Sequence, residues 1–243
     1  MKLLLILILT GLPAAANDGR SVPQNVAVPM ETAIGDFEGD VSDTWAKLRA
    51  LMGESRREKY GWEINSAIAK RDPGSAQSAL DGMLREFPEI KKEEPHAIEY
   101  HQGLIYFWGR NFDNAYREFD KLVKALEQKY PHGIPAGGKY SAINTSFMAE
   151  AYFNRGAVEM QTRAYARAVT DIDKAFALLP KAYMQVNKCR ALLPLKKYKE
   201  AAEAYDLAYK IDPKWAESAE DRSRMCEALL KNGLQPQPCL SKN

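Results

Sequence analysis

The chain has 243 residues, 46% of them hydrophobic and 27% charged, an ordinary soluble composition long enough for one or two compact domains. Its formal net charge of +2 is too near neutral to point to nucleic acid or an anionic membrane surface as a partner.

Residues 1–16 stand apart from the fold. Met1-Lys2 is a short positive start, Leu3 to Leu12 an apolar core, and Ala14-Ala15-Ala16 the small-x-small pattern that signal peptidases accept. The apolar run is far shorter than the ~20 residues a membrane-spanning helix needs. A cleaved signal peptide is therefore expected, with an exported mature chain that starts near Asn17 and has no transmembrane segment. In a bacterium that means the periplasm or beyond. No cysteine lies near the cleavage site, so no lipid anchor is expected.

Residues 17–41 have no hydrophobic period and are rich in proline, glycine and scattered acids, which reads as a flexible linker. Ser42 or Asp43 then suits an N-cap. Trp45, Leu48 and Met52 follow at helical spacing, so an N-terminal helix is expected over 42–56.

From residue 57 a longer register governs the chain. Ile64, Ala76, Met83 and Pro88 are separated by 12, 7 and 5, with Asp72-Pro73-Gly74 as the turn between two helices. Gly103, Ala115 and Leu122 repeat the first two intervals, with a turn at Gly109-Arg110-Asn111. Gly156, Ala168, Ala175 and Pro180 keep all three, as do Cys189, Ala201, Ala208 and Pro213. Small residues at matched offsets, closed by a proline, mean a helical hairpin copied in tandem at a period of about 34 residues.

Two stretches depart from this pattern. In the second copy, Glu99, Gln102, Gly103 and Tyr106 fall on the hairpin-core side. Tyr100, His101, Leu104, Phe107 and Trp108 fall on the opposite, groove side, which is the more apolar. Either an aromatic groove binds a ligand there, or the N-terminal helix around Trp45 folds over it. Between the second and third copies, the run from Tyr130 to Gly138 has two prolines and cannot continue a helix. Residues 140–161 then read as one unusually long helix. The insertion is either a binding element or an elongated surface loop.

After Pro213, Trp215 to Leu230 is expected to form one capping helix, because the last hairpin would otherwise expose an apolar face. A C-terminal tail, 233–243, follows. Of the three cysteines, Cys189 takes the place of Gly156 in the preceding copy and reads as a small core residue. An oxidising compartment permits one disulfide. A bridge between Cys226 and Cys239 would pin the tail to the end of the array.

The segment Ala151-Tyr152-Phe153-Asn154-Arg155-Gly156, followed by Tyr165, Ala168, Ala175 and Pro180, resembles a tetratricopeptide repeat. Ala182-Tyr183 to Ile211-Asp212-Pro213, with Tyr198-Lys199-Glu200-Ala201, resembles the next one. The resemblance implies an all-α fold: an α-solenoid of stacked antiparallel hairpins over 57–232 with a C-terminal capping helix. Its first helices would line a concave groove that holds peptides or proteins, without catalytic residues. Chaperone-binding members clamp a terminal carboxylate with basic residues beside paired asparagines. Asn154 and Asn187 occupy equivalent places here, but the basic partners are not matched.

Chemistry is sparsely signposted. His96 and His101 are five apart, a poor spacing for two ligands on one helical face. There is no HExxH, zinc-type cysteine pairing, phosphate loop or nucleophile signature. No enzyme activity, metal or cofactor is therefore expected. The expected function is that of an exported protein-binding scaffold, with Tyr100, His101, Phe107, Trp108, Phe153, Asn154, Tyr183, Asn187 and Arg190 as candidate partner contacts. The alternatives are a structural, homo-oligomeric subunit of an envelope assembly, and an envelope-polymer binding protein.

Overall fold

A computed structural model describes residues 56–135, 141–219 and 221–240, with the backbone alone for 141–143. The expected signal peptide, linker and nearly all of the expected N-terminal helix lie outside these residues. Among the described residues the regular structure is helical, with no strand. Contacts divide the chain into two compact units at Gly109.

The first unit contains α1 (Arg56–Ala69), α2 (Pro73–Glu86), the short α3 (Ile90–Glu93) and α4 (Pro95–Trp108). Ile64 and Ile68 of α1 and Ala76, Leu80 and Met83 of α2 are fully buried as the two helices pack together. The turn between them has a local cause. Asp72 caps α2, its Oδ1 accepting from the Ser75 amide at 3.0 Å and its Oδ2 from the Ser75 hydroxyl at 2.6 Å. Pro73 takes the first helical position, where its missing amide costs nothing. The helices lie so close that a Cβ on Gly82 would come within 2.8 Å of the Tyr60 ring. An ion pair between Arg57 and Glu94, at 2.6 Å, ties α1 to the start of α4.

The second unit runs through α5 (Phe112–Lys129), α6 (Ser141–Gln161), α7 (Tyr165–Leu178), α8 (Ala182–Leu192), α9 (Tyr198–Ile211), α10 (Pro213–Glu217), α11 (Arg222–Lys231) and α12 (Gln237–Leu240). Each of α5 to α9 packs on the next. The pairs are antiparallel: as α5 runs from Asp120 to Glu127, its partners on α6 run back from Arg155 to Tyr152. The expected long helix is α6, with 21 residues. Its Gly156 fits a tight crossing, where a Cβ would stand 3.2 Å from the Ala168 carbonyl oxygen.

Four turns share one geometry. Arg71, Arg110, Arg163 and Lys196 all have φ between 56° and 63°, the left-handed region. Each lies seven residues after Ile64, Gly103, Gly156 or Cys189, the residues that open the four copies of the register. For three of them the preceding helix closes with paired bonds to its last turn. The amides of Asp72, Ala164 and Lys197 reach the carbonyls of Ala67, Glu159 and Leu192. Those of Arg71, Arg163 and Lys196 reach Ile68, Met160 and Leu193, completing a Schellman cap.

The C-terminal end corrects one expectation. Trp215 to Leu230 falls on two helices, α10 ending at Glu217 and α11 starting at Arg222. Arg190 reaches across from α8 and holds the Asp221 carboxylate with Nε at 2.9 Å and an outer nitrogen at 2.6 Å, fixing the bend between the two helices. The tail is also structured. Cys226 and Cys239 form a disulfide. Arg222 Nε donates to the Pro238 carbonyl at 2.8 Å, and Asp206 accepts from the Gln237 amide at 2.6 Å.

Candidate functional site

The candidate contacts fall on first helices in both units, α4 in one and α6 and α8 in the other. On α4, Tyr100, His101 and Phe107 are buried and Trp108 is half-buried. His101 Nδ1 lies 2.7 Å from the Ala97 carbonyl, and Nε2 lies 3.2 Å from Asn65 Oδ1 on α1. Both neighbours are acceptors, so satisfying both would require two ring protons. Burial opposes that charge and holds the His101 pKa below its ordinary value, against the pull of the Ala97 carbonyl. Burial therefore favours the neutral ring, whose single proton serves only one of the two acceptors. Trp108 receives the Arg71 guanidinium over its ring at 4.9 Å, while its indole nitrogen is buried without a hydrogen-bond partner.

On α6 and α8 the register brings equivalent residues into corresponding places. Glu150 and Tyr183 each stand six residues before the opening residue of their copy, and Asn154 and Asn187 each stand two before it. The Tyr183 hydroxyl donates to Glu150 Oε1 at 2.5 Å, linking the two helices. Each asparagine donates to the carbonyl four residues back, Asn154 to Glu150 and Asn187 to Tyr183, both at 2.8 Å. Asn187 also accepts from Arg190 at 3.1 Å. The Tyr183 ring stands edge-on to Phe153 at 4.9 Å and tilted against Trp215 of α10 at 6.0 Å. Phe153, Asn154, Tyr183 and Asn187 are all buried, whereas Arg190 and Trp215 are only partly so. The amides are therefore buried and bonded within their own helices, and the row opens towards solvent at Trp215.

Sequence reasoning passed over Glu150, Trp215 and Asp221. Burial pushes the Glu150 pKa up to about 7, opposed by the Tyr183 hydrogen bond and by Lys181. A lone acid on a helix ordinarily reads as solvated. The available signal was its register match with Tyr183.

A second polar cluster crosses α5, α6 and α7. Arg155 forks onto Asp171 at 2.6 and 2.8 Å and reaches Asp120 at 2.8 Å. Glu159, one turn along, is buried with Oε2 lacking a hydrogen-bond partner, and its burial and the Asp171 charge push its pKa to about 7. This arrangement ties three helices together and offers no nucleophile. A shallow depression of about 430 Å³ is lined by residues of α5 alone, among them Tyr116, Asp120 and Lys124. Burial raises the Cys189 thiol pKa to about 12, which leaves it inert. Among the described residues no cluster of histidine, cysteine and acidic side chains has the grouping of a metal site. Nor is any helix there long and apolar enough to cross a membrane. No family model matches the chain.

Proposed function

We propose that this chain is an exported, non-catalytic scaffold of the tetratricopeptide kind, its hairpins stacked as an α-solenoid that holds a protein or peptide partner along the first-helix face. The observation that carries this reading is repetition. Four turns share one backbone geometry at one register position, and α6 and α8 place the same amide at the same offset. Repetition of this kind suits an extended partner, because the same contact recurs along its length. In this reading the partner docks at Trp215 and Arg190, the partly accessible members of the row.

Photo-cross-linking tests this directly. A benzophenone side chain at Trp215 should give a discrete cross-linked product in the exporting cell, and one at the exposed Glu203 of α9 should not. Equal products from both positions, or none from either, would contradict the reading.

A second reading, a self-associating subunit of an envelope assembly, is favoured by a different observation. Leu207 and Ile211 on α9, Leu230 on α11 and Leu240 on α12 leave 37–49% of their surface exposed. An end cap is ordinarily polar, so four exposed leucine and isoleucine side chains suit a second copy. Sedimentation equilibrium separates the two: a dimer that Leu207→Glu and Ile211→Glu dissociate would favour the subunit reading.

A further inference from the structure

The second unit carries an unusual edge. Helices α5 to α9 alternate in direction, so the N-termini of α5, α7 and α9 and the C-termini of α6 and α8 lie at one end of that unit. The turns at that end contain Arg110, Arg163 and Lys196, each exposed and each in the left-handed backbone region. A residue with a Cβ is disfavoured there, and glycine is the residue that avoids the cost. A cation can recover part of the cost from the negative end of the helix it closes. Local energetics thus tolerate arginine and lysine at this position but do not require them in all three turns.

The surrounding sequence adds to the charge. Segments 110–113, 162–167 and 195–200 together contain six lysines and arginines against two acids, a formal charge of +4 in a chain whose total is +2. Two residues after each left-handed cation comes an aromatic side chain, Phe112, Tyr165 or Tyr198, each half-buried at the start of its helix. Three cations, each two residues before an aromatic, recur at one end of the stack.

We propose that this edge is a docking surface for an acidic peptide in extended conformation. The reading is independent of the first-helix face. Helices that share a neighbour at packing distances of 8–10 Å place successive turns about 10–20 Å apart, which an extended chain at ~3.4 Å per residue spans in about three to six residues. The peptide it fits carries glutamate or aspartate at that interval, its carboxylates meeting Arg110, Arg163 and Lys196 in turn. Exposed pairs are individually weak, so the interaction depends on all three and on salt.

The test is a fluorescence-anisotropy titration of the purified chain with a labelled peptide of about twelve residues, glutamate at every fourth position. Its glutamine counterpart and an oligothymidylate of similar length serve as the other probes. The acidic peptide should bind at low salt at least about tenfold more tightly than the glutamine peptide. The triple variant Arg110→Gly, Arg163→Gly and Lys196→Gly should lose about tenfold in affinity for it, while unfolding at a temperature no lower than the parent. The proposal is overturned if the acidic and glutamine peptides bind alike, if neither binds, if the triple variant keeps full affinity, or if the oligothymidylate binds more tightly than the acidic peptide.

Discussion

Glu150 is a carboxyl group placed where its charge is expensive. It is 2% exposed, its one strong donor is the Tyr183 hydroxyl, and burial moves its pKa from 4.5 to about 7. The folded chain therefore binds a proton that the unfolded chain has released between these values. By linkage, the contribution of Glu150 to stability is greatest below pH 4.5 and falls as pH rises towards 7. Glu150→Gln keeps an oxygen for Tyr183 and removes the ionisation. In urea unfolding it should be about 2–3 kcal/mol more stable than the parent at pH 8 and nearly equal to it at pH 4. A constant difference across that range would mean that the carboxyl is not held neutral.

His101 acts with the opposite sign. Its pKa is held below 6.5, so the unfolded chain takes up the proton first, and stability falls as pH drops below 6.5. His101→Gln should flatten that part of the pH profile. The left-handed cations give a third residue-scale expectation. Arg163→Gly relieves the Cβ strain at the cost of a more flexible unfolded chain and a lost helix-end charge, a net gain of about 0.5–1 kcal/mol. Arg163→Val, branched at the strained position, should destabilise by more than ~1 kcal/mol, measured the same way.

At the scale of elements, the hairpins were legible because their contacts are close in sequence. Gly156 and Ala168 are twelve apart and meet across one turn, where a Cβ on Gly156 would be tight, 3.2 Å from the Ala168 carbonyl oxygen. Gly156→Leu should cost about 2–3 kcal/mol in the second unit by overpacking that crossing. The break between α10 and α11 was not legible. Asp221 is fixed by Arg190, 31 residues away, and the amphipathic spacing from Trp215 to Leu230 gives no sign of a partner at that distance. The tail is a mixed case: the cysteine positions pointed to the Cys226–Cys239 bridge, which the structure contains, but gave no sign that Asp206 and Arg222 also hold α12 in place. Breaking the bridge with Cys226→Ser and Cys239→Ser should cost about 3 kcal/mol, given the short loop it closes. Reduction of the parent should reproduce that loss.

At the scale of the molecule, the register accounts for more than the small residues that revealed it. It places four left-handed turns, pairs Glu150 with Tyr183, and sets Asn154 and Asn187 at one offset. The candidate contacts follow that register. It identified which face they share, but burial depends on what packs against that face, which periodicity does not encode. Phe153 and Asn187 are accordingly almost wholly enclosed, and Trp215 and Arg190 remain as the partly accessible members of the row.

In the proposed scaffold these hairpins are equivalent units of one repeat, and a deletion of one period checks that equivalence. Removing residues 156–188 takes out one full period and joins Arg155 to Cys189 in register. If the units are equivalent, the shortened chain keeps its helical circular dichroism per residue and unfolds cooperatively, at lower stability, while a deletion about three residues shorter from the same starting point does not. Loss of cooperative unfolding in both, or in neither, would contradict the account.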